Sequence, residues 1–321
     1  MKILIGQNPM GLEKAIPALQ AQYPEHTFAL CPDRGPQLLQ DIADADIYVG
    51  WLSREIFNAG KKLQWVQSPS SGVNMFLDIP ELRDGPVLLT SASGTHAGGV
   101  ADSTLAMILA VTRGIVPSVR DQMSKTWNPA EIRKGLVELT DSTMGIIGLG
   151  AIGRATAKRA KGFDMRVIAV DLNPNQQSPY VDEVWGLDQL NRLLAEADYV
   201  VVLVPYTAQT DNMIGAEQIA QMKPGALLVG MSRGGIIDQE AMIEALKAGK
   251  IAGAVLDVFK PEPLPADHAL WDLPNVLIAP HIAGGTQFEG KHVLDIFTEN
   301  LARFFAGQRP LRNQVDKQAG F

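Results

Sequence analysis

Three residues of complementary chemistry follow strand-forming runs in the C-terminal half of the chain. Arg233 follows "LLVGMS", Glu262 lies in "DVFKPEPLP" just past "GAVLDVF", and His281 follows "NVLIAP". An arginine presents a planar fork of donors that suits a carboxylate and an adjacent carbonyl oxygen. A histidine can exchange a proton near neutral pH. A glutamate beside it stabilises the imidazolium and turns the ring. Together they suit the interconversion of a 2-keto acid and a 2-hydroxy acid. Arg233 would anchor the carboxylate and polarise the C=O, and His281 would give or take the oxygen's proton. Taken singly, each also has a structural reading: Arg233 on a helix C-terminus, Glu262 solvated between prolines, His281 satisfied by backbone. The reaction further requires a hydride donor.

The stretch "GIIGLGAIGRATAKRAKGFDMRVIAVD" supplies a place for one. Gly148-x-Gly150-x-x-Gly153 comes directly after an apolar strand and opens a helix, the context a dinucleotide requires. The first glycine permits the tight turn, the second lets backbone approach a pyrophosphate, and the third lets helix pack on strand. Ala151 and Ile152 lie between them, where helix N–H groups and the positive dipole end meet the phosphates. Asp171 ends the next strand, where a carboxylate accepts bonds from both ribose hydroxyls and repels a 2′-phosphate. No lysine or arginine follows in "DLNPNQQ", so NAD (NADH) is expected rather than NADP.

Parallel sheets must hold these residues. "KILIG", "ADIYVGW", "LQWVQ" and "PVLLTSAS" are short strand runs with helical stretches between several of them. A second series runs "STMGIIGLG", "MRVIAVD", "DYVVVLVP", "ALLVGMS", "IAGAVLDVF" and "NVLIAP", six strands in all, again interleaved with helices. Strands alternating with helices indicate parallel sheets covered on their faces. The fold class expected is α/β with two Rossmann-like doubly wound domains. Residues 1–96 and 286–321 would form a substrate domain and 97–285 an inserted NAD-binding domain. "GGVADSTLAMILAVTRG" is apolar nearly all round and reads as a helix buried between domains or subunits. A last amphipathic helix carries Val293, Ile296, Phe297, Leu301, Phe304 and Phe305 at helical spacing.

Bulk properties agree with a soluble globular protein. The 321 residues are 46% apolar and 20% charged, enough for two domains. A net charge of -7 argues against a nucleic-acid or anionic-membrane partner. A single cysteine, Cys31, allows no intrachain disulfide and points to a reducing compartment. "MKILIG" is too short for a signal-peptide core, and no apolar run approaches a membrane span. A cytoplasmic location is expected. No Cys/His cluster suggests a metal, and no G-x-S-x-G suggests a hydrolase.

The combination of "GIIGLGAIGRATAKRA" with Asp171, "MSRGGIIDQEAMIEALKAGKIAGAVLDVFKPEPLP" and "APHIAGGT" resembles the D-isomer-specific 2-hydroxy acid dehydrogenase family over nearly the whole chain. The resemblance implies a catalytic arginine, glutamate and histidine at Arg233, Glu262 and His281. It implies that Asp257 holds the nicotinamide carboxamide. It also implies that the loop "SSGVN" presents Ser71, Gly72 and Val73, chiefly backbone N–H groups, to the substrate carboxylate. Pro205 and Ser232, past the ends of two later strands, are further expected cofactor contacts. A homodimer is implied, with the region of Trp127 crossing to a partner. Glyoxylate and hydroxypyruvate are the leading substrates. Alternatives are a phosphoglycerate dehydrogenase, whose additional regulatory domain finds no room here, and an NAD-sensing corepressor-like scaffold. Asp102 stands where the family usually has glutamate, Gly230 where asparagine is frequent, and Tyr206 where leucine is common. His96, in "SGTHAGGVAD", is a candidate for substrate or hinge contact, or for a structural hydrogen bond.

Overall fold

A computed structural model of the chain describes residues 1–6, 11–31, 33 and 35–320. The chain divides into two compact units, Met1–His96 with Thr286–Phe321, and Ala97–Gly285.

The first unit holds β1 (Lys2–Ile5), β2 (Thr27–Leu30), β3 (Ile47–Val49), β4 (Trp65–Gln67) and β5 (Leu88–Thr90). They form one parallel sheet in the order β2-β1-β3-β4-β5. The sequence reading passed over β2, a four-residue edge strand whose ends are exposed. The helix Glu289–Phe305 belongs to this unit and buries Val293, Ile296, Phe297, Leu301 and Phe304. Phe297 and Phe304 each lie 5.5 Å from the ring of Trp65, which is fully buried on β4. Aromatic burial of this kind dominates the energy of a small core. The Trp65 indole N–H finds Thr90 Oγ1 at 2.7 Å, so no polar atom is stranded there.

The second unit holds β6 (Thr143–Ile147), β7 (Arg166–Val170), β8 (Glu183–Trp185), β9 (Tyr199–Val202), β10 (Leu227–Gly230), β11 (Gly253–Leu256) and β12 (Val276–Ile278). All are parallel, in the order β12-β11-β10-β9-β6-β7-β8. That is one strand more than the sequence reading found. The addition, β8, is a half-buried three-residue edge strand that carries Glu183 and so lacks an apolar run. The central strands are buried at every position, as strands covered on both faces must be.

Two properties of this sheet matter for chemistry. The order reverses between β6 and β9, and a crevice opens at such a switch point. The carboxyl ends are also in register: Val202 pairs with Ile147 and Gly230, Gly230 with Leu256, and Leu256 with Ile278. Residues just past β6, β9, β10, β11 and β12 therefore emerge along one edge, although they are far apart in sequence. The helix Ala97–Thr112 packs on the helix Ala151–Lys161 and buries Val100, Ala101, Thr104, Leu105 and Ile108. Asp102, one of the family departures, uses its exposed carboxylate to accept a bond from Arg159 Nε. Among the described residues no single helix is long and apolar enough to cross a membrane.

Candidate active site

At the switch point the three glycines do three different things. Gly148 has φ +99°, and a Cβ there would stand 2.9 Å from Val204 N and 3.0 Å from Leu203 C. Any side chain would push the β6 turn off the segment that follows β9. A Cβ on Gly153 would meet the Gly148 carbonyl oxygen at 2.3 Å, so the helix Ala151–Lys161 can begin only this close to the turn as glycine. A Cβ on Gly150 would meet nothing within 4 Å. The open space over Gly150 and the exposed Ala151 at the helix start is where backbone can approach a pyrophosphate, with half-buried Ile152 behind it. Asp171 accepts Leu149 N at 2.7 Å and Asn173 N at 3.0 Å, which sets its carboxylate against the same turn. These residues fit a dinucleotide.

The sequence reading overlooked Arg154. Its guanidinium reaches across from the helix to Gln177 O at 3.0 Å and to Gln176 Oε1, and so bridges to the loop after Asp171. Pro205 is exposed just past β9, and its carbonyl accepts Thr210 Oγ1 at 2.7 Å. Tyr206 donates its hydroxyl to Asp211 at 2.9 Å and receives Lys260 Nζ at 3.2 Å.

Past β10, Ser232 and Arg233 are half-buried. Arg233 donates Nη1 to the Ser232 carbonyl at 2.7 Å and forms no ion pair with any described residue. Burial pushes the guanidinium below the usual arginine range, and the charge of Glu262 offsets part of that. A Cβ on Gly234 would fall 1.8 Å from the Phe259 carbonyl oxygen. The glycine after Arg233 is thus what brings the β10 segment onto the loop that carries Glu262. Gly230, where the family often has asparagine, is fully enclosed, with Ile237 Cδ1 and Leu256 Cδ2 at 3.1 and 3.2 Å from its would-be Cβ. A larger residue would have to displace both.

Glu262 takes Phe259 N on Oε1 at 2.8 Å and the His281 ring Nδ1 on Oε2 at 2.7 Å. A carboxylate only accepts, so Nδ1 carries a proton and Nε2 is the nitrogen left to exchange one. Nε2 has no partner among the described residues. His281 itself has φ +53°, left-handed backbone that costs about 1–3 kcal/mol in a non-glycine residue. Asp257, directly after β11, holds that turn. Its oxygens accept Ile282 N at 2.9 Å and Ala283 N at 3.0 Å, and the side chain is fully buried. It is therefore not a solvated strand-end carboxylate. Burial raises its pKa from the usual aspartate value, and the two amides work against that. Gln239, also missed, clasps the segment before Glu262 through Lys260 N and Lys260 O, both at 2.8 Å.

In the other unit, the loop after β4 is held by its own serines. Ser70 N donates to Ser68 Oγ at 3.1 Å and Gly72 N to Ser70 Oγ at 3.3 Å. Ser71 Oγ lies 3.0 Å from Ala92 O and 2.8 Å from His96 Nδ1. Val73 is buried and precedes the short helix Asn74–Leu77. His96 is a hydrogen-bonded residue within this unit, between the Ser71 loop and Glu289. Among the described residues no group of three or more His, Cys, Asp or Glu could hold a metal ion.

Comparison with known proteins places these features. Residues 105–283 match the family model for the D-isomer specific 2-hydroxyacid dehydrogenase NAD binding domain. The chain is 36% identical over 287 residues to a glyoxylate reductase of Thermofilum pendens, covering 87% of this chain and 84% of that protein. It is 31% identical to the crystal structure of a D-isomer specific 2-hydroxyacid dehydrogenase family protein from Aeromonas salmonicida, with a TM-score of 0.87 and 98% of both chains covered. At 25% identity and a TM-score of 0.85 it is similar to the NADPH-dependent glyoxylate/hydroxypyruvate reductase of Sinorhizobium meliloti in complex with NADP and sulfate, covering 100% of this chain and 99% of that one. The glycine turn, the in-register strand ends and the whole-length likeness converge: the chain belongs to the D-isomer-specific 2-hydroxyacid dehydrogenase family and is an NAD(P)-dependent oxidoreductase.

Proposed function

We propose that this protein reduces a small 2-keto acid to a D-2-hydroxy acid with NADH, and catalyses the reverse with NAD, through His281. The observation that carries the reading is the Glu262–His281 contact of 2.7 Å, which leaves Nε2 without a partner among the described residues, together with a half-buried Arg233 that has no ion pair among them. Bound NADH supplies the hydride. Arg233 directs its fork of donors to the substrate carboxylate and keto oxygen. His281 Nε2–H gives the developing alkoxide its proton, and Glu262 stabilises the ring and holds its orientation. In oxidation, Nε2 takes the hydroxyl proton. The Ser71–Val73 loop receives the carboxylate through the amides of Gly72 and Val73. Residues 97–285 bind the cofactor, and 1–96 with 286–321 bind the substrate.

NAD is preferred to NADP because the Asp171 carboxylate occupies the ribose end of the groove and would repel a 2′-phosphate. Gly148, Gly150, Ala151, Ile152 and Gly153 cradle the pyrophosphate, with Pro205, Ser232 and Asp257 as further contacts. Glyoxylate and hydroxypyruvate are the proposed substrates, in keeping with the names of the relatives above. The protein acts as a cytoplasmic homodimer. Ile115, Val119, Met123 and Trp127 are exposed on and after the helix Ile115–Ser124, Trp127 at 93%, and would be covered in the pair.

The test is loss of NADH absorbance against a panel of keto acids that includes glyoxylate, hydroxypyruvate and pyruvate, repeated with NADPH. Turnover of a small keto acid with a preference for NADH is expected. NADH binding without turnover of any member would favour a scaffold of the corepressor kind.

A further inference from the structure

We infer that His96 and Glu289 are a positioning pair for the substrate-carboxylate loop, acting on it through Ser71; this rests on the reading of Ser71–Val73 proposed above. His96 closes the N-terminal segment of its unit, and Glu289 begins the helix Glu289–Phe305 where the chain has returned. The two side chains are 3.0 Å apart, Nε2 to Oε1, and His96 is only 14% exposed. The other ring nitrogen, Nδ1, faces two hydroxyls, Ser71 Oγ at 2.8 Å and Thr95 Oγ1 at 2.9 Å. Both hydroxyls also face the Ala92 carbonyl, Thr95 at 2.7 Å and Ser71 at 3.0 Å.

Proton accounting orders this cluster. Glu289 only accepts, so His96 Nε2 carries a proton. In the neutral ring, two hydroxyl protons then remain for two acceptors, Ala92 O and Nδ1. The shorter contact in each case assigns Thr95 to Ala92 O and Ser71 to Nδ1. The chain of donors runs from Ser71 through His96 to Glu289, and the carboxylate polarises the ring into a better acceptor for Ser71. Ser71 thereby gains a fixed rotamer and a tie to parts of the unit distant in sequence. The remaining polar contacts of the loop include short-range ones, Ser68 with Ser70 and Ser70 with Gly72, and the backbone bond from Ala92 N to Ser70 O. Fixing Ser71 fixes the peptide planes that carry the Gly72 and Val73 amides. A ligand carboxylate then meets a loop already held in place, where the Gly72 amide has only to leave its 3.3 Å contact with Ser70 Oγ, and the ordering cost of binding falls.

The pair touches no reacting atom, so its signature is a split between KM and kcat. His96→Ala is expected to raise the KM for glyoxylate about tenfold, the worth of one hydrogen-bonded contact, with kcat changed less than about threefold and NADH affinity unchanged. His96→Asn puts an amide oxygen near the place of Nδ1, can still accept from Ser71, and should recover most of the KM. His96→Gln reaches toward the place of Nε2, keeps the Glu289 contact, loses Ser71, and should not. Ser71→Ala should raise KM by a similar factor, and His96→Ala added to it should raise KM no further. If His96→Ala folds poorly, the contrast between His96→Asn and His96→Gln, with Ser71→Ala beside it, carries the test. A folded His96→Ala protein of wild-type KM would overturn the inference while wild-type turnover leaves the proposed reaction standing. So would KM values that track the melting temperatures of the variants instead of the Ser71 contact. Absence of wild-type turnover with every keto acid would remove both.

Discussion

Two of the molecule's imidazole–carboxylate pairs are similar in length and differ in exposure. His281 and Glu262 are 2.7 Å apart, with the ring 43% exposed. His96 and Glu289 are 3.0 Å apart, with the ring 14% exposed. In the first pair the carboxylate takes Nδ1 and leaves Nε2 with no partner in the described chain. In the second, the carboxylate takes Nε2 and the Ser71 hydroxyl takes Nδ1, with the Thr95 hydroxyl beside it. A ring with a free nitrogen can pass a proton to a ligand. A ring with both nitrogens engaged can do so only by breaking bonds to its own protein. Contact with a carboxylate is therefore not what separates proton transfer from positioning; the second nitrogen is.

The sharpest way to break this comparison is to remove each ring in turn. His281→Ala is expected to lower kcat by about 10²–10⁴, the usual worth of a general acid, with NADH binding by fluorescence titration unchanged. His96→Ala should leave kcat nearly alone. Similar losses of kcat in both variants would erase the distinction drawn from the free nitrogen. Next in size is Arg233→Ala. It removes a charge-assisted anchor, and kcat/KM for the keto acid should fall about a hundredfold. Arg233→Lys should recover little, because an ammonium lacks the planar fork.

How much of this could be read beforehand differs between the two pairs. Arg233, Glu262 and His281 stood out because each follows a continuous apolar run, and parallel strands buried on both faces must read that way. The glycine turn was legible because its spacing is set by local geometry. The His96 pair was only half visible. His96 was noticed, but Glu289 belongs to a segment far along the chain, and no local pattern announces a contact between them. Arg154 and Gln239 were missed for the same reason: each acts on a loop that sequence spacing does not connect to it. Strands β2 and β8 escaped because three or four mixed residues on a sheet edge carry no periodic signal. The left-handed backbone of His281 had no signal either, since histidine does not advertise φ as glycine does.

Asp257 sharpens the comparison at the level of backbone, since it holds the turn that places His281. Asp257→Asn keeps the shape but turns a donor toward an amide, so a loss of stability is expected. Its pH dependence follows from the raised folded-state pKa of Asp257. A carboxyl that binds its proton more tightly when folded contributes stability that is fully present below its unfolded pKa, and this is lost as pH rises through the folded one. The stability gap between wild type and Asp257→Asn should therefore be widest in acid and shrink toward neutrality in denaturant titrations. A gap that widens with rising pH would mean that the two amides outweigh burial.

The smallest expected effect separates the ties that aim Glu262 from those that merely decorate its loop. Gln239 grips Lys260 by both backbone groups, while Lys260 Nζ meets Tyr206 and Asp211 at 3.2 and 3.3 Å with its side chain 57% exposed. Exposed ion pairs of that kind are worth at most about 1 kcal/mol and are screened by salt. Two amide–backbone bonds act on the main chain two residues before the carboxylate and are not screened. Gln239→Ala should lower kcat a few-fold without raising KM, because Glu262 would then hold His281 in a wider range of orientations. Lys260→Met should stay within about twofold of wild type at any ionic strength. If Lys260→Met were instead the more damaging change, charge around the Glu262 loop would matter more than its backbone. The His281 pair would then depend on its electrostatic surroundings in a way that the enclosed His96 pair does not.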